Sequence, residues 1–86
     1  MPIICEFFGI KIRMFYNDHE PIHFHAEYGG LNGKFDIHGN MIAGDIRAGG
    51  ALRRIREWAL LHEVEIRNNW QKILTGRTLD RIDPLP

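Results

Sequence analysis

Titratable side chains concentrate in one short segment, residues 18–28, which holds three of the chain's five histidines and three of its carboxylates. The second half of this segment alternates between polar and apolar residues, as in a β-strand whose successive side chains point to opposite faces. In that arrangement His23, His25 and Glu27 share one face, and the apolar residues between and after them share the other. The sequence therefore predicts a polar face on which several ionisable groups converge.

Two imidazoles on one face are suited to general acid–base catalysis, because one can accept a proton while the other donates one near neutral pH. Arg13 has the matching parity on the preceding predicted strand, and a guanidinium stabilises the negative charge that develops during phosphodiester cleavage. We predict His23, His25, Arg13 and Glu27 as candidate catalytic residues of a metal-independent ribonuclease. This chemistry needs no cofactor.

Metal binding is an alternative use of the same strand. His-x-His on a strand commonly supplies two imidazole ligands to one ion, so His23 and His25 are the candidate ligands. A straight strand separates residues i and i+4 by ~13 Å, which makes Asp18 or His38 as plausible a third ligand as Glu27. A further interpretation is that this face is only the solvated side of a one-sided sheet, where each charged pair adds ~0.2–1 kcal/mol.

A repeating period of two and a series of turn signals predict the elements that position this face. Alternation marks strands at residues 10–16, 23–28 and 34–38, with further strands at 3–8 and 41–46. The turn signals between them are Asn17-Asp18, Gly29-Gly30, Asn32-Gly33 and Gly39-Asn40. Short turns join antiparallel neighbours, so residues 3–46 are predicted to form a β-meander of four to five strands.

The polar parity of the neighbouring strands extends the candidate site. If each strand turns its apolar side toward a helix, Lys11 and His38 lie on the same open face as the two strand histidines. Asp18 and His19, which precede the histidine strand, belong to the same polar cluster. Lys34 and Asp36 have the same parity as His38, and we predict Lys11, His38, Asp18 and His19 as candidate binding residues.

A helical period replaces the alternation after residue 50. The apolar stripe consists of Leu52, Ile55, Ala59, His62, Ile66, Trp70 and Ile73. One helix over about residues 51–75 would be about 38 Å long, more than a short strand covers, so it either overhangs the sheet or bends near residues 65–69. An extended tail follows at residues 77–86, and the predicted fold class is α+β.

The helix carries two further candidate surfaces. Arg53 and Arg54 belong to a basic cluster at its start, which is suited to contact phosphates or an acidic partner. Trp58, Trp70 and Leu74 supply more apolar surface than a small sheet can bury, and uncovered aromatics mark contact sites. We therefore expect a protein interface through the helix, with a second copy or with another protein.

Composition limits the classes of function. The chain has 86 residues, 44% of them hydrophobic, with 11 basic and 11 acidic side chains. This composition is typical of a single domain, residues 1–86. Because the basic and acidic side chains balance, no overall electrostatic field attracts the protein to nucleic acid or membranes, and any phosphate must bind at a local cationic patch. The longest nearly apolar run, residues 3–10, is far shorter than a membrane span. A single cysteine, Cys5, is typical of a reducing compartment, and we predict a cytoplasmic protein.

Several short blocks resemble one known family along nearly the whole chain. They are Phe7-Phe8-Gly9-Ile10, Ile12-Arg13-Met14, Asn17-Asp18-His19, Pro21, His23-Phe24-His25-Ala26, Tyr28, Ala51-Leu52, Glu57-Trp58-Ala59, Leu61-His62 and Asn69-Trp70. Together they are similar to the bacterial domain of unknown function 4160 family. The resemblance implies a small cytoplasmic α+β protein whose gene often lies beside one encoding a small protein of the domain of unknown function 2442 family.

That gene arrangement implies a two-gene toxin–antitoxin module. Combined with the polar face, it leads to the hypothesis of a toxin-like partner that acts on RNA, with the small cognate protein from the neighbouring gene as its partner. A non-catalytic interaction domain and a small metal-binding protein remain as alternatives.

Overall fold

The structure is a computed structural model that describes residues 3–16 and 21–86. Within these residues the first half of the chain forms an antiparallel sheet with strand order β1-β2-β3-β4-β5. The strands are β1 (Ile3–Phe7), β2 (Ile10–Arg13), β3 (His23–Tyr28), β4 (Leu31–Asp36) and β5 (Met41–Gly44). The spatial order equals the order along the chain, so the predicted meander is confirmed.

The connection between β3 and β4 differs from the predicted one. Gly29 and Gly30 both have positive φ, 58° and 81°, and form the two-residue turn that brings Leu31 opposite Tyr28. The Asn-Gly pair predicted as a hairpin turn lies inside β4 instead. Two adjacent glycines adopt the left-handed conformation without a Cβ penalty, so they take the turn ahead of the Asn-Gly pair.

The helical half consists of two helices, α1 (Gly49–Leu61) and α2 (Glu63–Leu74), so the prediction of one long helix is wrong. The helix axis changes direction at His62, whose φ of −116° and ψ of 26° depart from helical values. Hydrogen bonds still cross this position: the His62 amide donates to the Trp58 carbonyl and the Ile66 amide to the His62 carbonyl, each at 3.0 Å. The bend keeps both helices against the core, and it lies a few residues before the predicted position.

The core lies between the apolar face of the sheet and the helices. Phe24 and Phe35 stack on neighbouring strands with ring centroids 5.5 Å apart, and Trp58 of α1 meets Phe24 edge-on at 5.5 Å. Ile55 and Ile66 are buried in the same cluster. Because these aromatic residues have the parity opposite to His25, the polar side chains of β3 have to point away from α1.

The C-terminal segment covers the β1 edge of the sheet. The Ile82 amide donates to the Ile4 carbonyl at 2.8 Å, and the Arg81 guanidinium donates to the Ile3 carbonyl at 3.3 Å. Asn69, which is buried, fixes the start of this segment: its Nδ2 donates to the Asp80 carbonyl and its Oδ1 accepts from the Asp80 amide, both at 2.9 Å. The tail is therefore docked in an extended conformation, and it protects one sheet edge from intermolecular pairing.

Both tryptophans are buried within their own chain. The indole Nε1 of Trp58 donates to the Asp83 carbonyl at 2.9 Å, and Trp70 packs on His23 of β3. The expectation that they remain uncovered is wrong, because the bend and the tail cover them. No helix in the described part of the chain is long and apolar enough to cross a membrane.

Candidate functional site

The polar face of the sheet is built from cross-strand neighbours. The register places Arg13 of β2 opposite His25 of β3, and His25 opposite Lys34 of β4, whose own neighbour on β5 is Ala43. Neighbouring strands are ~4.8 Å apart, so these residues form a continuous row across four strands. We call Arg13, His25 and Lys34 the cationic row, after the permanent charges of Arg13 and Lys34.

A shallow cavity of about 370 Å³ lies over this row. Its lining residues are Lys11, Arg13, Phe15, His25, Ala26, Asn32, Gly33, Lys34, Ala43 and Gly44. Three of these carry a permanent positive charge, and none carries a carboxylate. The cavity therefore offers an anion several cationic side chains at the surface of a chain that has no net charge.

A carboxylate lies just outside the cavity and orients one of its cations. Arg13 Nη1 donates to Glu27 Oε1 at 2.6 Å, and both side chains are partly exposed. The Arg13 hydrogen bond, together with the charges of Arg13 and Lys11, holds the pKa of Glu27 below its usual range. Glu27 is therefore an anion at neutral pH that fixes the guanidinium, which is a positioning role.

His25 is the imidazole that lines the cavity. It is half-buried, with its ring edge-on to Phe15 at 4.6 Å and to His23 at 5.2 Å between centroids. Its sequence position between two apolar residues of β3 fixes the outward direction of the ring. Rings on both sides hold the imidazole in place between the guanidinium and the ammonium of the cationic row.

His23 has the same parity as His25 but does not lie in the cavity. Its side chain is only 3% exposed and packs against Trp70 of α2 at 5.3 Å between ring centroids. Its Nδ1 lies 2.9 Å from the Pro21 carbonyl, and because a carbonyl only accepts, Nδ1 carries the proton. The prediction that both histidines face an open surface is thus wrong for His23, because α2 bends over this end of β3.

His38 lies in the turn after β4, away from the cavity lining, so its predicted place on the polar face of a strand is wrong. The reason is Asp36, whose Oδ1 accepts the amides of His38 and Asn40 at 2.9 and 3.0 Å and so ends the strand. Partial burial acts to raise the pKa of Asp36, but these amide donors keep that pKa below its usual range. The carboxylate is a turn cap.

The two arginines at the helix start lie apart from the cavity lining and contact other side chains. Arg54 places its guanidinium carbon 4.6 Å from the centroid of the Phe8 ring, a cation–π contact. Phe8 has a φ of 49°, so this contact supports a residue in the sparsely populated left-handed region. Arg53 approaches Glu57 at 4.0 Å.

Two predicted binding residues, Asp18 and His19, lie outside the described residues. The metal interpretation finds no support in residues 3–16 and 21–86, where no group of three or more His, Cys, Asp or Glu side chains is arranged to hold an ion. Cys5 is buried, and burial raises the pKa of its thiol, which makes it a core residue rather than a nucleophile.

Lys34 and Phe15 line the cavity but are not among the predicted site residues. The alternation identifies both of them, because each has the parity of the polar face in its own segment. Asn32, Gly33 and Gly44 carry no such signal. Their contribution depends on how β4 and β5 pair, and a register shift between those strands has no sequence signature.

Together, the fold and the cavity define a small α+β protein with an open cationic sheet face. The chain belongs to the family of the Domain of unknown function (DUF4160), whose family model matches residues 9–71. The family predicted from the sequence is thereby confirmed. The matched range includes β2 to β5, and therefore every strand that contributes to the cavity. Searches of curated proteins and of solved structures give no match.

Proposed function

We propose that the cavity on the open sheet face binds the phosphate groups of single-stranded RNA, and that the protein is the toxin-like component of a two-gene module. The observation that carries the proposal is the lining of the cavity. Lys11, Arg13 and Lys34 converge there with His25, and none of the described residues that line the cavity is a carboxylate. In a chain without net charge, such a local cluster is what phosphate binding requires.

The shape of the cavity favours a flexible strand over a duplex. A volume of about 370 Å³ is at the lower end of small-ligand sites and accommodates a group of nucleotide size. Proteins that bind single strands combine a cationic groove with an aromatic side chain on which a base stacks. Phe15, beside the cationic row, is the aromatic side chain available for that role.

The positions of the side chains assign them different roles. Lys34 is opposite His25 and Ala43, without a carboxylate directly across from it, so it is the strongest candidate for direct phosphate contact. Arg13, fixed by Glu27, aims a guanidinium at the same space. His25 is the group placed to transfer a proton to or from a bound phosphodiester, and His23 supports it from behind as a positioning residue.

The module role rests on the resemblance. In this role the protein is cytoplasmic, and its partner is a small cognate protein encoded by a neighbouring gene. The non-catalytic interaction domain is the competing hypothesis, and the experiments below separate the two.

The first experiment measures binding of a fluorescent single-stranded RNA by anisotropy over a series of salt concentrations. If three cations each neutralise one phosphate, log K should fall with log salt with a slope of about −2. Lys34→Ala should weaken binding and reduce the slope by about 0.7. Arg77→Ala, which removes the same charge from an exposed position beyond α2, is the matched control and should bind like wild type. Equal affinities for Lys34→Ala and Arg77→Ala would refute the cavity as the site.

The second experiment tests catalysis. Wild type and His25→Ala are expressed without the neighbouring gene, and growth and RNA integrity are followed. A catalytic toxin should arrest growth, and His25→Ala should lower the cleavage rate by a factor of about 10²–10⁴ while retaining RNA binding. Normal growth and intact RNA with wild type would leave RNA binding or partner binding as the function.

A further inference from the structure

Seven positions on α1 and α2 lie on the side of the helices that faces away from the core. Alternating steps of four and three residues separate them, and every one is exposed. They are Arg53, Glu57, Leu60, Val64, Arg67, Gln71 and Leu74. Within each of the two helices this spacing is that of the contact seam of a coiled coil, and we call these seven residues the outer seam.

The outer seam is apolar at its centre. Leu60 is 57% exposed and Val64 is 69% exposed, and Leu61 beside them is 59% exposed. These three side chains flank the bend between the helices and form a contiguous apolar surface on α1 and α2. Clustered aliphatic groups of this kind mark protein contact sites, whereas single exposed ones do not.

The order of residues in the outer seam is self-complementary about His62. Leu60 and Val64 lie two residues on either side of it, and Glu57 and Arg67 lie five residues on either side. A two-fold axis through the bend therefore places Leu60 against Val64 of a second, antiparallel copy. The same axis places Glu57 against Arg67 of that copy. An interface between identical chains requires such a self-complementary surface.

A parallel arrangement lacks this property. It would place Glu57 against Glu57 and Arg67 against Arg67, so like charges would meet on both sides of the apolar centre. The charges along the seam thus select the antiparallel orientation, and they select a second copy of this chain as the occupant.

We propose that the outer seam forms an antiparallel homodimer interface. Within one chain Arg67 Nε is 3.1 Å from Glu63 Oε2, and Arg53 Nε is 4.0 Å from Glu57 Oε1. In the dimer Glu57 meets Arg67 of the second copy. The Arg53–Glu57 pair of one copy and the Glu63–Arg67 pair of the other therefore join into a network of four charges on each side of the two-fold axis. None of the seven residues of the outer seam lines the cavity over the cationic row.

The test is sedimentation equilibrium of the full chain over a concentration series. Wild type should show a concentration-dependent dimer. Each interchain pair occurs twice in a two-fold interface, so Glu57→Arg or Arg67→Glu alone should weaken dimerisation by about tenfold or more. Arg77→Glu, an equal charge reversal outside the seam, should dimerise like wild type. Circular dichroism checks that every variant is folded.

Restored complementarity distinguishes a specific interface from a general charge effect. The double variant Glu57→Arg/Arg67→Glu should recover the wild-type dimer, and a mixture of the two single variants should form a heterodimer. A wild-type protein that stays monomeric at every concentration overturns the proposal. So does a dimer that neither reversal weakens, or a double variant that stays as weak as the single ones.

Discussion

Gly39, in the turn between β4 and β5, lies close against α1. Its φ is +83°, and a Cβ at this position would lie 2.6 Å from the Arg56 Cα, 3.0 Å from the Ala59 Cβ and 3.3 Å from the Ile55 carbonyl oxygen. The closest of these atoms is helix backbone, which cannot move aside without displacing α1. We predict that Gly39→Ala strongly destabilises the protein.

Two costs contribute to the expected loss. A non-glycine residue in the left-handed region costs about 1–2 kcal/mol, and overpacking against fixed atoms costs about 1–3 kcal/mol. The sum, about 2–5 kcal/mol, is a large part of the roughly 4–13 kcal/mol expected for a domain of this length. For a domain of this size it corresponds to a fall in melting temperature of at least ~10 °C.

Gly30 provides the matched control. Its φ is +81°, almost the same, but nothing lies within 4 Å of a Cβ placed there. Gly30→Ala should therefore show only the conformational cost, about 1–2 kcal/mol. Urea unfolding at constant pH measures both free energies of unfolding. Equal losses for the two variants would refute the inferred contact between the turn and α1.

Three other predictions follow from buried or capping groups. Asn69→Ala should release the tail, because it removes both hydrogen bonds to Asp80, and limited proteolysis should then cleave the C-terminal segment while the sheet stays resistant. Asp36 has a pKa below its usual value in the folded state, so its stabilising effect is present above the unfolded-state pKa and is lost as pH falls through the folded-state pKa. Asp36→Asn should therefore lose less stability than wild type between pH 5 and pH 3 in urea unfolding (about the range in which carboxyl groups titrate). Cys5 is buried and burial raises its pKa, so its labelling by a thiol reagent should be slow in the native protein and should accelerate only as urea unfolds it.

Local pattern was sufficient for the order and antiparallel pairing of the strands and for most of the cationic row, although the β3–β4 turn forms at Gly29-Gly30 and not at the Asn-Gly pair. A period of two fixes which side chains share a face, and turn signals of two residues fix antiparallel neighbours. His25, Arg13 and Lys11 could therefore be placed on one surface from the sequence alone. The structure keeps all three there, in the cavity lining. These features depend on residues close together in the chain, where stereochemistry leaves few alternatives.

Tertiary packing decided which segments cover the polar face of β3 and the β1 edge of the sheet. His23 has the same alternation as His25, yet α2 buries it, because the chain bends at His62 and brings Trp70 over the start of β3. The tail that closes the β1 edge is positioned by Asn69, eleven residues before its hydrogen-bond partner. Periodicity assigns a side chain to a face of its own element, but its exposure depends on segments that are distant in sequence. The sequence by itself therefore determined the face on which the candidate site is built, and only the tertiary structure decided which of its two histidines lines the cavity.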